Sequence, residues 1–289
     1  MLGWVTEEKL KGEKLKSGKM KGAINKKIGF IGAGNMAEAI ISGIIKSGIL
    51  ARNIFTSDIN SARLKFISQK YGVKTLGGNP AVVKRADIIF LAVKPYQIEE
   101  VLREISDYAK QTQLIISIAA GIKTQKIEKY LKKVSVNRVM PNTPALIGEG
   151  TIAICRGRYA TASDIKIAKK LLSSCGIVID VIEKDMHSVT AVSGSGPAYI
   201  FYIAEIMRNT AEKLGIQKDV AKKLVHQTLL GASKMLILSD DEPENLRQKV
   251  TSKGGTTEAA FKVLMKEKFG KIFEKAIFAA MKKSKKMSR

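Results

Sequence analysis

The residues Gly254-Gly255-Thr256-Thr257, inside the stretch Val250 to Glu258, have the types and order of a small anion site. Two glycines let the backbone close around a carboxylate. The apolar-periodic residues that follow (Ala260, Val263, Leu264) predict a helix, so the loop feeds a helix N-terminus. Such an end has N–H groups without helical partners, and the helix dipole favours negative charge there. A threonine hydroxyl beside it can donate or accept one more hydrogen bond. The plainer reading makes Thr256 or Thr257 a helix cap. The rest of the chain tips the balance toward a ligand.

A second constellation lies near the start. Gly32-Ala33-Gly34-Asn35-Met36-Ala37 follows a short apolar strand and opens a helix. The first glycine permits a tight turn, the second lets a pyrophosphate approach the backbone, and Ala37 lets helix and strand pack closely. An acid at the end of the second strand ordinarily holds the adenine ribose, and Asp58 stands there. A carboxylate disfavours a 2′-phosphate, which leans the reading to NAD(H). Arg63 and Lys65 keep NADP(H) open, and Asp58 has an alternative reading as a turn or cap residue.

These residues need a frame. Ile28–Ile31, Ile54–Ser57, 87–93, 114–118, 136–140, 151–155 and 177–182 read as strands, with helical stretches between most of them. The run Asp87 to Val93 is continuously apolar, as in strands buried on both faces. This alternation predicts a doubly wound parallel sheet. Beyond about residue 183 strand signals stop. Pro197 sits where a first-turn proline would, before a nearly all-apolar helix reaching Leu214-Gly215. An all-round apolar helix needs cover on most sides, which points to a dimer interface. Further helices are expected at about 218–238, 243–250, 256–268 and 270–284. The expected organisation is a loose basic extension over 1–25, a dinucleotide-binding domain over 26–182 and a helical dimerisation and substrate domain over 183–289.

Composition narrows the classes. The chain has 289 residues, 45% of them hydrophobic, which suits two globular domains with a sizeable core. The longest apolar run of the second half, Ala198 to Ala204, is far too short to span a bilayer. The basic N-terminal stretch has no apolar core, so no secretory signal is expected. The two cysteines, Cys155 and Cys175, have no metal-type spacing. They read as reduced core thiols of a cytoplasmic protein, with no metal site. The formal charge of +24 raises the question of nucleic acid. The lysines are spread, and the two clusters, at the N-terminus and at Lys282-Lys283-Ser284-Lys285-Lys286, carry no interleaved aromatic rings. Solvated surface charge is the expectation.

Four more segments complete a pattern: Ala92-Val93-Lys94-Pro95, Ser117 to Gly121, Arg138 to Pro144, and Ser193-Gly194-Ser195-Gly196-Pro197-Ala198-Tyr199. With the Gly-Gly-Thr-Thr loop they resemble the Δ1-pyrroline-5-carboxylate reductases, from about Lys27 to Ala280. The resemblance implies a Rossmann-type sheet followed by an all-α dimerisation domain. It implies hydride transfer from NADPH or NADH to the C=N bond of 1-pyrroline-5-carboxylate, giving proline. The cofactor would lie on Gly32, Ala33, Gly34, Asn35, Met36 and Asp58, on Asn79, on Ala92, Val93, Lys94 and Pro95, and on Ala119 and Ala120. The substrate carboxylate would lie on the N–H groups of Gly255 to Thr257, beside Gly254, with the Thr257 side chain facing the ring nitrogen and Asp240 near by. The C-terminal helices would interlace in a dimer, and dimers of this family often form rings. Two departures stand out. Lys253 occupies the place of the family's usual proline, and Ile59 follows Asp58 where many members carry an arginine suited to a 2′-phosphate.

A protonated cyclic imine is already electrophilic, so positioning matters more than acid catalysis. That fits the lack of a His or Cys constellation. His187 and His226 read as structural. Lys94 could serve as an acid, but Pro95 after it suggests that its backbone matters more. Two rivals remain. A 3-hydroxyacid dehydrogenase or another imine reductase has similar build, but the former needs a lysine on the long helix, which has none between Pro197 and Lys213. A non-catalytic basic nucleic-acid binder is the remoter one.

Overall fold

The computed structural model describes residues 26–288, and the basic extension expected over 1–25 lies outside them. The described residues divide into two compact units, 26–197 with 279–288, and 198–278.

The first unit is built on eight strands: β1 (Ile28–Ile31), β2 (Ile54–Ser57), β3 (Lys74–Thr75), β4 (Ile88–Leu91), β5 (Leu114–Ser117), β6 (Ser135–Met140), β7 (Gly150–Arg156) and β8 (Gly176–Asp180). Their order is β3-β2-β1-β4-β5-β6-β7-β8. Every residue of β1, β4 and β5 is buried, which is why these strands read as unbroken apolar runs. Six helices clothe the faces: α1 (Asn35–Lys46), α2 (Ser61–Tyr71), α3 (Asn79–Arg85), α4 (Ile98–Ile105), α5 (Thr124–Leu131) and α6 (Ala162–Leu172). On one face Ile28, Phe30 and Phe90 pack with Ile40, Ile41 and Ile44 of α1. On the other, Ile89 and Leu91 pack with Val82, Val83 and Leu102. Each such side chain contributes about 1.5–3 kcal/mol on burial. The Phe30 and Phe90 rings stack at 4.6 Å across β1 and β4.

Two details depart from the sequence reading. The sheet is not wholly parallel, because β7 runs antiparallel to β6. Between Met140 and Gly150 lies only a short loop with the 3₁₀ turn Thr143–Ile147, and a parallel partner would need a longer crossover. The edge strand β3 is two exposed residues and leaves no periodic signal in the sequence.

Residues 183–197 stay with the sheet. The single turn α7 (Met186–Val189) buries Met186 against Ala153 and Cys155. It continues through a π turn, Thr190–Gly194, into α8 (Gly196–Lys213).

The second unit holds most of α8, with α9 (Lys218–Leu238), α10 (Pro243–Lys249), α11 (Thr256–Lys266) and the first half of α12 (Phe269–Met287). Tyr199 meets Phe273 edge to face at 5.6 Å. Few apolar side chains of this unit are buried, among them Ala221, Val225 and Leu246. The apolar helix α8, expected to be covered on most sides, has no buried residue in a single chain. Ile200, Phe201 and Tyr202 are 47%, 64% and 62% exposed. Among the described residues no helix is long and apolar enough to cross a membrane.

Candidate active site

Strand order reverses between β1 and β4, and the carboxyl ends of the strands there form the crevice where open α/β sheets take ligands. Gly32 ends β1 with φ +98, and an added Cβ would stand 2.6 Å from the Ala92 carbonyl oxygen. Only glycine meets both conditions. Gly34 caps α1 in extended backbone, with no side-chain capping bond. A Cβ added at Gly34 would meet nothing within 4 Å. Open space over glycine, beside the first-turn N–H groups of a helix, fits a pyrophosphate. Ala37 is buried, as close helix–strand packing requires.

The remaining cofactor residues expected from the sequence gather at this edge. The Gly32 N–H donates to the Ser57 carbonyl at 2.8 Å, tying the turn to β2. Asp58 Oδ2 accepts from the Ala33 N–H at 2.6 Å and its Oδ1 accepts from the Asn60 N–H at 2.8 Å. Asn60, not Asp58, caps α2 through its side chain. Asn79 Oδ1 accepts from Ser57 Oγ at 2.7 Å and its Nδ2 donates to Glu104 Oε2 at 2.6 Å. Ala92 and Val93 border Gly32. The Lys94 side chain is exposed, while its N–H donates to Gln97 Oε1 at 3.1 Å in the turn containing Pro95. Ala119 is buried at the end of β5, with Ala120 half-buried beside it.

Sequence reasoning missed one set of charges at this edge. Arg63 Nε donates to the Ala33 carbonyl at 2.6 Å, and its Nη2 donates to Glu38 Oε2. Glu38 Oε1 also accepts from Lys70 Nζ at 2.9 Å and from the Tyr71 hydroxyl at 2.8 Å. Burial alone would raise the Glu38 carboxyl, but the bonds from Lys70, Arg63 and Tyr71 outweigh it and hold it at about 2. The available signal was an acid in the first turn of α1, directly after the glycine turn.

Two other motifs meet within this unit. Asn142 Nδ2 donates to the Ser193 carbonyl at 3.3 Å, and Asn142 Oδ1 accepts from the Thr151 N–H at 2.9 Å. The Ser-Gly-Ser-Gly segment is thus anchored where the π turn passes into α8, a backbone form frequent at functional sites. His187 has Ser284 Oγ 3.0 Å from its Nδ1, and burial pushes its pKa down. Both cysteines are free and buried, and burial pushes the Cys155 thiol up to about 12.

The Gly-Gly-Thr-Thr loop lies in the second unit. Gly254 has φ +76 and Gly255 is the N-cap of α11, with no side-chain capping bond. This corrects the cap reading, since neither threonine side chain caps the helix. It also narrows the donor set. The Gly255 N–H donates to the Ser252 carbonyl at 3.0 Å, and the Gly254 N–H donates to Glu258 Oε2 at 2.8 Å. Thr256 and Thr257, in the first turn, have no helical carbonyl behind their N–H groups. A Cβ on Gly255 would stand 2.5 Å from Ser252 Oγ, which must turn aside to admit it, and 3.1 Å from the Ser252 carbonyl oxygen. Thr257 is half-buried. Asp240 is exposed in the turn between α9 and α10. Its neighbour Asp241 accepts from Ser239 Oγ at 3.1 Å and from Lys249 Nζ at 2.5 Å. Among the described residues no group of three or more His, Cys, Asp and Glu side chains could hold a metal ion.

Comparison with known proteins matches both units. Residues 183–287 match the family model for pyrroline-5-carboxylate reductase dimerisation. Residues 27–121 match the model described as NADP oxidoreductase, coenzyme F420-dependent. Pyrroline-5-carboxylate reductase 1 of Bacillus subtilis is 40% identical over 266 residues, 91% of this chain and 90% of that one. The pyrroline-5-carboxylate reductase of Pseudomonas aeruginosa is 39% identical over 89% of this chain and 95% of its own length. The solved reductase of Coxiella burnetii superposes with a TM-score of 0.84 at 38% identity, covering 91% of this chain and 99% of that one. The Plasmodium falciparum pyrroline carboxylate reductase, solved with NADP bound, gives 0.85 at 33% identity over 93% of this chain and 100% of its own. A prephenate dehydrogenase of A. aeolicus, at 14% identity and 0.54, shares the fold alone.

Proposed function

The chain belongs to the pyrroline-5-carboxylate reductase family, and from that premise we propose how its own residues carry the reaction. It is an oxidoreductase that reduces the C=N bond of 1-pyrroline-5-carboxylate to L-proline, the last step of proline synthesis, with a nicotinamide cofactor. When bound, the dihydronicotinamide supplies the hydride that the imine carbon of the ring receives.

The donor-lined space over Gly34 carries the proposal for the cofactor. The pyrophosphate lies on the N–H groups of Asn35 and Met36, approached through Gly32, Ala33 and Gly34. Asp58 faces the adenine ribose, and Asn79 lines the crevice beside it. Ala92 to Pro95 and Ala119-Ala120 line the nicotinamide end. The substrate carboxylate takes the N–H groups of Thr256 and Thr257, in the space that Gly254 and Gly255 leave open. The Thr257 hydroxyl hydrogen-bonds the ring nitrogen, which ends protonated, and Asp240 borders the same site. With the reacting groups held together, an iminium needs little further acid catalysis.

NADH is the better cofactor of the two. An acid closes β2, Ile59 stands where an arginine would meet a 2′-phosphate, and the nearest arginine, Arg63, is bonded to Glu38. The exposed apolar side chains of α8 join two chains as an interlaced dimer, the unit from which rings of this family are built. The functional division we propose is the one expected from the sequence, a dinucleotide-binding part over 26–182 and a dimerisation and substrate part over 183–289, although 183–197 and 279–288 fold with the sheet unit.

The deciding assay follows absorbance at 340 nm with 1-pyrroline-5-carboxylate, with NADH and NADPH in parallel. A higher kcat/KM with NADH is expected. A clear NADPH preference overturns the reading of Asp58 and Ile59, and absence of turnover with either overturns the site assignments.

A further inference from the structure

We propose that Glu38 is a specificity-determining residue that excludes the 2′-phosphate by neutralising the cations beside the ribose site. The inference rests on the cofactor placement proposed for the Gly32–Met36 turn.

The geometry is compact. Ala33, in the middle of that turn, is held on both sides of its backbone. Its N–H donates to Asp58 Oδ2 and its carbonyl accepts from Arg63 Nε, each at 2.6 Å. Asp58 and Arg63 therefore flank the place where an adenine ribose meets a glycine turn. A 2′-phosphate brings a charge of roughly −1.5 to −2 and needs an unspent cation. Arg63 is the nearest by position, but it is not unspent. Its Nη2 is bonded to Glu38, and its guanidinium carbon lies 5.0 Å from the Phe66 ring centre. Lys70, about two turns further along α2, is bonded to the other Glu38 oxygen. Tyr71 donates to that same oxygen and fixes the carboxylate.

Two carboxylates, Asp58 and Glu38, thus stand against two cations, Arg63 and Lys70, within one bonded network. Among these four groups the charges balance before any cofactor arrives. A 2′-hydroxyl can join this network as donor to Asp58. A 2′-phosphate finds Arg63 and Lys70 already bonded to Glu38 and lies near two carboxylates. Glu38 acts at a distance from the ribose, by holding Arg63 and Lys70, so its expected effect is on discrimination between cofactors rather than on hydride transfer.

The test uses the full chain and reads binding apart from turnover. Isothermal titration gives the Kd of NAD+ and of NADP+ for the wild type and for Glu38→Gln, and steady-state assays give kcat and KM with NADH and NADPH. Removing one opposing charge at a partly exposed site is expected to raise relative NADP+ affinity on the order of tenfold, with kcat at saturating NADH little changed. In Glu38→Gln/Arg63→Leu the gain disappears, because the released cation is gone. Arg63→Leu on its own supplies a second reading if Glu38→Gln folds poorly. With Arg63 already neutralised, its loss shifts the NADP+ to NAD+ ratio far less than the Glu38 change does. An unchanged ratio in Glu38→Gln overturns the proposal. So does weaker NADP+ binding in that variant, which would mean that Glu38 aims Arg63 at the phosphate. If the wild type binds neither nucleotide, the cofactor placement itself falls and takes this inference with it, an outcome distinct from binding with an unshifted ratio.

Discussion

The Ala33 N–H donates to Asp58 Oδ2 across 2.6 Å, so the middle of the glycine turn is braced by the end of β2. The same carboxylate receives the Asn60 N–H on its other oxygen. Asp58 therefore shapes the turn, in addition to the ribose contact proposed for it. Asp58→Ala is expected to weaken NADH binding on the order of tenfold or more, because a hydrogen bond to a charged group contributes roughly 1.5–3 kcal/mol. Asp58→Asn keeps an acceptor for one of the two N–H groups and should lose less. Fluorescence titration of NADH checks this, and an Asp58→Ala Kd within a factor of two of wild type would sink the double role.

Much of this edge could be read from the chain. Gly32, Gly34 and Ala37 have the spacing of a pyrophosphate turn, and the unbroken apolar runs of β1, β4 and β5 follow from burial on both faces. What escaped was contact between residues distant in sequence. Glu38 and Arg63 lie on different helices, and neither has a spacing that announces the other. The reversal of β7 also escaped, because strand direction depends on how far the connection can reach and not on the strand's own residues. At the Gly-Gly-Thr-Thr loop the residue types were legible, but the internal use of the Gly254 and Gly255 N–H groups was not.

That internal use leaves the proposed substrate contacts to the two threonines. Thr257→Ala is expected to lower kcat on the order of 10²–10³, the usual cost of removing one donor aimed at a reacting atom. Stability should hardly move, since Gly255 caps α11 and no threonine side chain does. Stopped-flow or steady-state rates with a thermal melt on the same sample separate the two effects. Full kcat in a folded Thr257→Ala protein would remove the role assigned to that hydroxyl.

The Glu38 cluster also predicts a pH dependence of stability. The carboxyl sits at about 2 in the folded chain against an ordinary 4.5. A depressed folded-state value means that the group contributes stability above about pH 4.5. That contribution is lost as pH falls from there toward 2. The wild type should therefore gain Tm over this window more steeply than Glu38→Gln, and the two curves should run parallel from pH 5 to 7. High salt should shrink the difference, because the pairs are partly solvated. Identical slopes for the two proteins below pH 4.5 would show that Glu38 is not held by Lys70, Arg63 and Tyr71 in solution.

The last prediction concerns α8. A single chain leaves Ile200, Phe201 and Tyr202 about half exposed or more, and α8 has no buried residue at all. Apolar side chains clustered on one helix are costly in water and mark an interaction surface. A second copy is the partner expected from the dimerisation model that spans residues 183–287. Sedimentation should therefore find a dimer or a closed multiple of it at micromolar concentration, with a Tm that rises with protein concentration. Phe201→Glu places a charge where the partner must desolvate it, and an unpaired buried charge is not tolerated. The variant should sediment as a monomer and melt at lower temperature, while NAD+ binding to the sheet unit persists. A monomeric wild type, or a Phe201→Glu protein of unchanged mass and Tm, would move the dimer contact away from this helix.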